Sequence, residues 1–184
     1  MLMVEYATVC TVMSITYLIY LLHMATKIHG GNNLLVECIN HVTDKWMVLW
    51  NEQNEGDSIS YQAETFTHKP TIAEIKDTIL DWYNKKIDQE ILTGFVWKGI
   101  PVWLSMENQF NYKTAYDLAI QTNGQLLPTF KFGTTESPVY HKFESLEDLR
   151  DFYISAMSYV TDTLAKGWQE KDKIDWTVYE DLLK

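Results

Sequence analysis

Apolar and polar residues alternate with a period of two between Leu34 and Thr67, a pattern typical of strands with one buried face. The segments "LLVECIN", "KWMVLWN" and "SISYQAETF" carry this alternation, and polar, turn-rich residues separate them. We therefore predict a three-stranded antiparallel meander of about 30 residues, too small to be stable unless it packs against something else. Trp46, Val48 and Trp50 fall on one face of its second strand.

After Pro70 the apolar spacing changes to that of helices. "TIAE" is a capping box with Thr71 as N-cap, and it predicts a helix from Thr71 to about Leu92. Ser105 is the predicted N-cap of a second helix that ends at Gly124 in the left-handed conformation. Its predicted core side contains Met106, Phe110, Tyr116, Ala119 and Ile120.

Two short strands, "PTFKF" and "VYHKF", follow the second helix. Ser145 is the predicted N-cap of the longest helix, which reaches Gly167, and "WTVYEDLL" closes the chain as a short helix. The predicted fold class is α+β, in the order meander, helix, β-hairpin, helix, two short strands, long helix and short C-terminal helix.

The stretch "GFVWKGIPVWLS", from Gly94 to Ser105, predicts a β-hairpin with a type I′ turn at Lys98-Gly99. Trp97 is then opposite Ile100 and faces the core, and alternation places Val96, Pro101 and Trp103 on the other face with Gly94. Pro101 has no N–H to offer a further strand, which marks this strand as a sheet edge. Gly94 and Gly99 are expected to have structural roles.

Tryptophan is enriched, with seven residues in the chain. Trp82, Trp97 and Trp168 lie on predicted core-facing stripes, where packing explains them. Trp103 and one of Trp46 or Trp50 remain, either as contacts for a ligand or as residues buried against a neighbouring element. The candidate interaction surface is therefore Trp103, Pro101, Val96 and Trp50.

The chain divides by composition into residues 1–23, 24–70 and 71–184. The first segment holds a single charged residue, Glu5, and three interpretations compete for it. A signal peptide lacks its basic n-region, and a membrane anchor at residues 7–22 would be short for a bilayer. The third interpretation is that translation starts at Met24.

Charge and chemical motifs exclude several classes of function. A net charge of −10 argues against a nucleic-acid partner, because that binding draws on a basic surface. Neither the cysteines nor the histidines have metal-ligand spacing, and we expect structural roles for the neighbours Cys38 and His41. The acidic group Glu144, Glu147 and Asp148 suits a helix N-terminus. We expect no catalytic residue, metal site or cofactor.

From Thr71 to Lys184 the chain resembles an uncharacterised domain that recurs in phage and prophage tail-associated proteins, often at their C-termini. The Gly94–Trp103 hairpin, the helix start with Gln109 and the long helix Ser145–Gly167 carry the resemblance. Met106-Glu107-Asn108-Gln109 departs from the acidic pair followed by Ser-Gln that the family often shows there.

The resemblance implies a non-enzymatic structural or accessory protein that contacts other tail proteins or itself, located in the virion or the cytoplasm of a bacterial host. One alternative is a carbohydrate-binding module that stacks a surface glycan on exposed tryptophans. The other is an accessory protein tethered to the membrane through residues 7–22.

Overall fold

The computed structural model describes residues 25–30, 34–56 and 58–184. The three interpretations of residues 1–23 lie outside the described residues. The chain forms two compact units, Met1–Trp82 with Asp175–Lys184 (unit 1) and Tyr83–Ile174 (unit 2). The predicted boundary at residue 70 does not coincide with this division, since unit 1 extends to Trp82 and also includes the C-terminal residues Asp175–Lys184.

Unit 1 contains a four-stranded antiparallel sheet whose strands are β1 (Thr26–Gly30), β2 (Val36–Asn40), β3 (Lys45–Glu55) and β4 (Ser58–Phe66). Their order in the sheet is β1-β4-β3-β2, and with the helices this confirms the α+β class. The predicted meander corresponds to β2, β3 and β4. The prediction of three strands is wrong by one, because β1 has a single large apolar residue, Ile28, and so shows no alternation.

The two faces of this sheet bury different residues. Val36 pairs with Val48, and both are buried on the same face as Trp50. Leu49, Tyr61 and Ala63 form a cluster on the opposite face. Both faces therefore contribute to the core of unit 1, which agrees with the continuous burial of residues 48 to 50.

Helix α1 (Ile72–Thr93) begins with the predicted capping box. The backbone N–H of Glu74 donates to Thr71 Oγ1 at 3.3 Å, and the N–H of Thr71 donates to Glu74 Oε2 at 2.8 Å. Hydrogen bonds from Thr71, backbone first, and then from His68 lower the pKa of Glu74 to about 2. Trp82 on this helix meets Trp50 edge-on, with 6.1 Å between the ring centroids.

Helix α4 (Trp176–Leu182) completes unit 1. Its Tyr179 is buried, and the hydroxyl donates to the backbone carbonyl of Leu49 at 2.9 Å. The C-terminal residues therefore belong structurally with the N-terminal sheet.

Unit 2 has an aromatic core. Its elements are the end of α1, the hairpin β5 (Val96–Trp97) and β6 (Ile100–Pro101), α2 (Met106–Gln121), the pair β7 (Thr129–Gly133) and β8 (Pro138–Lys142), and α3 (Leu146–Asp172). α3 runs five residues past the predicted end at Gly167.

The aromatic rings in the core of unit 2 touch one another at centroid distances between 4.7 and 6.5 Å. They belong to Phe95, Trp97, Tyr112, Phe130, Phe132, Phe143 and Phe152.

Gly167 lets α3 approach α1 closely within unit 2. A Cβ at this position would overlap the side chain of Ile87. Gly124 serves the end of α2 instead, where φ is +80° and its N–H donates to the carbonyl of Ala119 at 2.8 Å. The predicted left-handed cap at Gly124 is thus confirmed.

Candidate interaction surface

The hairpin has the predicted type I′ turn. Lys98 and Gly99 have φ values of 49° and 78°, both in the left-handed region that this turn requires. Trp97 pairs with Ile100 and Val96 with Pro101, and the N–H of Val102 donates to the carbonyl of Phe95 at 2.9 Å. This pairing fixes which side chains point inward.

The inward face of the hairpin belongs to the core of unit 2. Phe95, Trp97, Val102 and Leu104 are all buried. The Trp97 ring contacts three phenylalanine rings and His141, and its Nε1 donates to Asp151 Oδ2 at 3.1 Å. The indole thus has a partner for its one polar group, as a buried tryptophan requires.

The outward face is apolar and exposed. Val96 and Pro101 are neighbours across the hairpin, and Trp103 follows two residues later with 43% of its surface exposed. Trp103 is therefore on the surface, where it can meet a partner. Of its two predicted alternatives, burial is wrong.

Helix α2 adds to this surface, contrary to the prediction for its core side. Met106 is 88% exposed and Phe110 is 69% exposed, and Ile120 also faces solvent. The buried residues of α2 are Tyr112 and Ala119, which lie on the opposite side of the helix from Met106 and Phe110. Both sides of α2 carry apolar residues, and the aromatic core takes the side with Tyr112.

Val96, Pro101, Trp103, Met106 and Phe110 form what we call the hairpin–helix patch. Met106 and Phe110 are one helical turn apart on the same side of α2, three and seven residues after Trp103. The amide of Asn108 donates to the carbonyl of Trp103 at 2.9 Å, which ties the first turn of α2 to the hairpin. The patch therefore includes residues of β5, β6 and α2, and its Trp103 is bonded to the first turn of α2.

Polar side chains at the start of α2 hold the backbone under the patch. The amide of Gln109 donates to the carbonyl of Leu104 at 2.8 Å, and the N–H of Asn108 donates to Ser105 Oγ at 3.2 Å. Ser105 is thus the predicted N-cap. These bonds fix the backbone between the hairpin and the first turn of α2.

Charged groups next to the patch are mostly paired within unit 2. Lys98 donates to Asp148, which also lies 3.3 Å from His141, and Lys113 donates to Asp117 one turn along α2. The hydrogen bond from Lys98 lowers the pKa of Asp148 most; burial opposes it, and the hydrogen bond from His141 adds to the lowering. Glu107 is exposed and makes no ion pair with any described residue.

Two other tryptophan predictions are wrong. Trp50 was a candidate for the interaction surface, but only 3% of it is exposed, because it packs on Trp82 in the core of unit 1. Trp168 was predicted to face the core, but it is exposed. Gly94 has its predicted structural role, because a Cβ there would overlap the Tyr159 hydroxyl and the carbonyl of Glu90.

Among the described residues there is neither a cluster of metal-ligating side chains nor a membrane-spanning helix. In this part of the chain, the His, Cys, Asp and Glu side chains form no group of three or more that could hold a metal ion. None of the helices formed by these residues has the length and apolar content needed to cross a bilayer. The hairpin–helix patch is the candidate site because its five apolar residues are exposed.

Comparison with protein-family models, curated proteins and solved structures finds no match to this chain.

Proposed function

We propose that this chain is a non-enzymatic phage or prophage accessory protein, associated with the tail, that works by binding another protein through the hairpin–helix patch. The tail context comes from the sequence resemblance alone. One structural observation supports the binding surface: five apolar residues of the hairpin segment and the first turns of α2 are exposed, although neighbouring residues of the same segments are buried.

Exposure of this kind is costly unless it serves contact. An apolar side chain left in water forgoes about 1.5 to 3 kcal/mol of burial free energy, and contiguous exposed apolar residues mark sites of interaction. Tryptophan, methionine and phenylalanine are also the residue types that protein interfaces favour. The patch has one of each.

Site-specific photo-crosslinking tests the proposal. The chain with benzoylphenylalanine in place of Met106 is produced in the strain that encodes it, virions are purified, and adducts are identified by mass spectrometry. We expect a crosslink to one tail protein that co-purifies with the virion. The same crosslinker at Leu118, an exposed residue of α2 outside the patch, is the matched control.

Two outcomes would contradict the proposal. One is a chain that never co-purifies with virions or a tail protein. The other is equal crosslinking from residues 106 and 118, because contact through the patch must depend on position.

The exposure of Trp103 favours a second candidate, a carbohydrate-binding module that stacks a sugar on the indole. Sugar sites combine such a ring with polar groups that hydrogen-bond the hydroxyls. Here the amide of Asn108 is already bonded to the backbone, and Val96 and Pro101 are apolar, so a protein partner fits better. Titration of the chain and its Trp103→Ala variant with bacterial polysaccharides decides, because only a sugar site predicts binding that Trp103→Ala abolishes.

A further inference from the structure

We infer that the occupant of the hairpin–helix patch is a cationic amphipathic segment of another protein, with apolar anchors for Trp103, Met106 and Phe110 and a Lys or Arg placed for Glu107. This inference rests on the proposed function and adds the chemistry of the partner. It follows from the spacing of the exposed apolar residues, the local charges and the charge of the whole chain.

The apolar part of the patch suits a segment with anchors at helical spacing. Met106 and Phe110 are one turn apart on α2, and Trp103 lies in the segment between β6 and α2, whose backbone is bonded to side chains of the first turn of α2. Methionine has three rotatable bonds and adapts to the shape of a partner side chain. Amphipathic helices bind such surfaces through apolar residues at positions i, i+3, i+4 and i+7.

The charges around the patch select the sign of the partner. Lys98 and Lys113 are held by carboxylates within unit 2, so the nearby cations are already neutralised. Glu107 stands between Met106 and Phe110 in sequence and is exposed, with no ion pair to a described residue. The dipole of α2 favours a carboxylate there, but its solvent-facing oxygens remain available to a cation.

The charge of the whole chain points the same way. With a net charge of −10, the chain attracts a cationic partner at long range and repels a second copy of itself. The same repulsion opposes a membrane surface rich in anionic lipid. A cationic segment of another protein is therefore the occupant that both the patch and the chain favour.

Two synthetic helical peptides with identical apolar anchors test the inference, one flanked by lysines and the other by glutamates. Each is titrated into the ¹⁵N-labelled full chain and followed by NMR and calorimetry. We expect the lysine peptide to bind about tenfold more tightly at low salt, with a difference that shrinks as salt is added. Backbone signals of residues 96 to 110 should shift on binding.

Three variants locate the effect. Phe110→Ser should weaken the lysine peptide by about tenfold or more, whereas Leu118→Ser, the matched exposed position on α2, should leave it unchanged. Glu107→Lys should reverse the ranking of the two peptides. All three side chains are exposed, so thermal unfolding is expected to stay close to that of the parent chain.

The outcomes separate this inference from the proposed function. If both peptides bind equally, depend on Phe110 and ignore Glu107→Lys, the cationic partner is wrong and the patch remains a protein-binding site. If no binding depends on Phe110, both ideas are overturned. Phe110-dependent dimerisation in light scattering, or Phe110-dependent binding to phosphatidylcholine vesicles, would assign the patch to a second copy or to lipid and also overturn the inference.

Discussion

Trp97 and Trp103 lie six residues apart in one hairpin and have opposite environments. Trp97 is enclosed by aromatic rings and bonded to Asp151, whereas Trp103 faces solvent beside Val96 and Pro101. Both occur in a run of apolar residues, so residue type does not separate them. The alternation of side chains along an extended chain separates them, because Trp97 is at an inward position and Trp103 at an outward position.

Trp97→Ala removes the inward-facing ring and should have the largest effect on stability. Removing a buried tryptophan leaves a cavity in the aromatic core and orphans Asp151, so we expect a loss of about 3 to 5 kcal/mol in the free energy of unfolding. Urea denaturation followed by circular dichroism measures it. A loss below about 1 kcal/mol would show that Trp97 is not the centre of the core.

Gly94→Ala tests an outward, exposed position at which a Cβ has no room. Alternation places Gly94 with Val96, yet a Cβ would overlap the hydroxyl of Tyr159 and the carbonyl of Glu90, so we expect a loss of about 1 to 3 kcal/mol. The same substitution in a Tyr159→Phe background should cost less, because one of the overlapping atoms is gone. An equal loss of unfolding free energy in the two backgrounds would contradict the overlap between a Cβ at position 94 and the Tyr159 hydroxyl.

Asp148→Asn tests the ion pair between Lys98 at the hairpin turn and Asp148 at the start of α3. The pKa of Asp148 is lowered in the folded chain, chiefly by the hydrogen bond from Lys98, so its contribution to stability is present above its ordinary pKa of 3.8 and is lost as the pH falls below that value. Because Lys98 is largely exposed, we expect Asp148→Asn to cost at most about 1 kcal/mol at neutral pH.

Chemical denaturation of the parent chain and the Asp148→Asn variant over the acid range gives the difference between their stabilities. This difference should vanish towards low pH. A difference that stays constant with pH would mean that the carboxylate charge contributes nothing at the turn.

Trp103→Ala should have the smallest effect on stability. Its ring is on the outward face, so we expect a change within about 0.5 kcal/mol in the same urea experiment, together with loss of the crosslink made from position 106. A stability loss comparable to that of Trp97→Ala would erase the distinction between the two faces.

Local signals predicted most of the fold. Lys98-Gly99, Thr71 with Glu74, Ser105 and Ser145 each satisfy a backbone requirement within a few residues, and all four predictions are confirmed. Strand β1 was missed because its place in the sheet depends on pairing with β4, which a short polar segment does not reveal.

The candidate site was only half predictable. Alternation placed Val96, Pro101 and Trp103 on one face of the hairpin, but Met106 and Phe110 were assigned to the core. α2 has apolar residues on two sides, and the choice between them depends on which side meets Phe130 and Phe152. Trp50 was misplaced for a related reason, because its burial depends on Trp82, which lies 32 positions further along the chain.

The return of the chain to unit 1 at Asp175 has a consequence for synthesis on the ribosome. Tyr179 bonds to Leu49, so the core of unit 1 lacks a buried member until the C-terminal helix has left the exit tunnel. The residues of unit 2 have all been made by then. Synthesis from the N-terminus therefore lets unit 2, which bears the hairpin–helix patch, fold first. The N-terminal sheet of unit 1, although made earlier, completes its core only when α4 has been made.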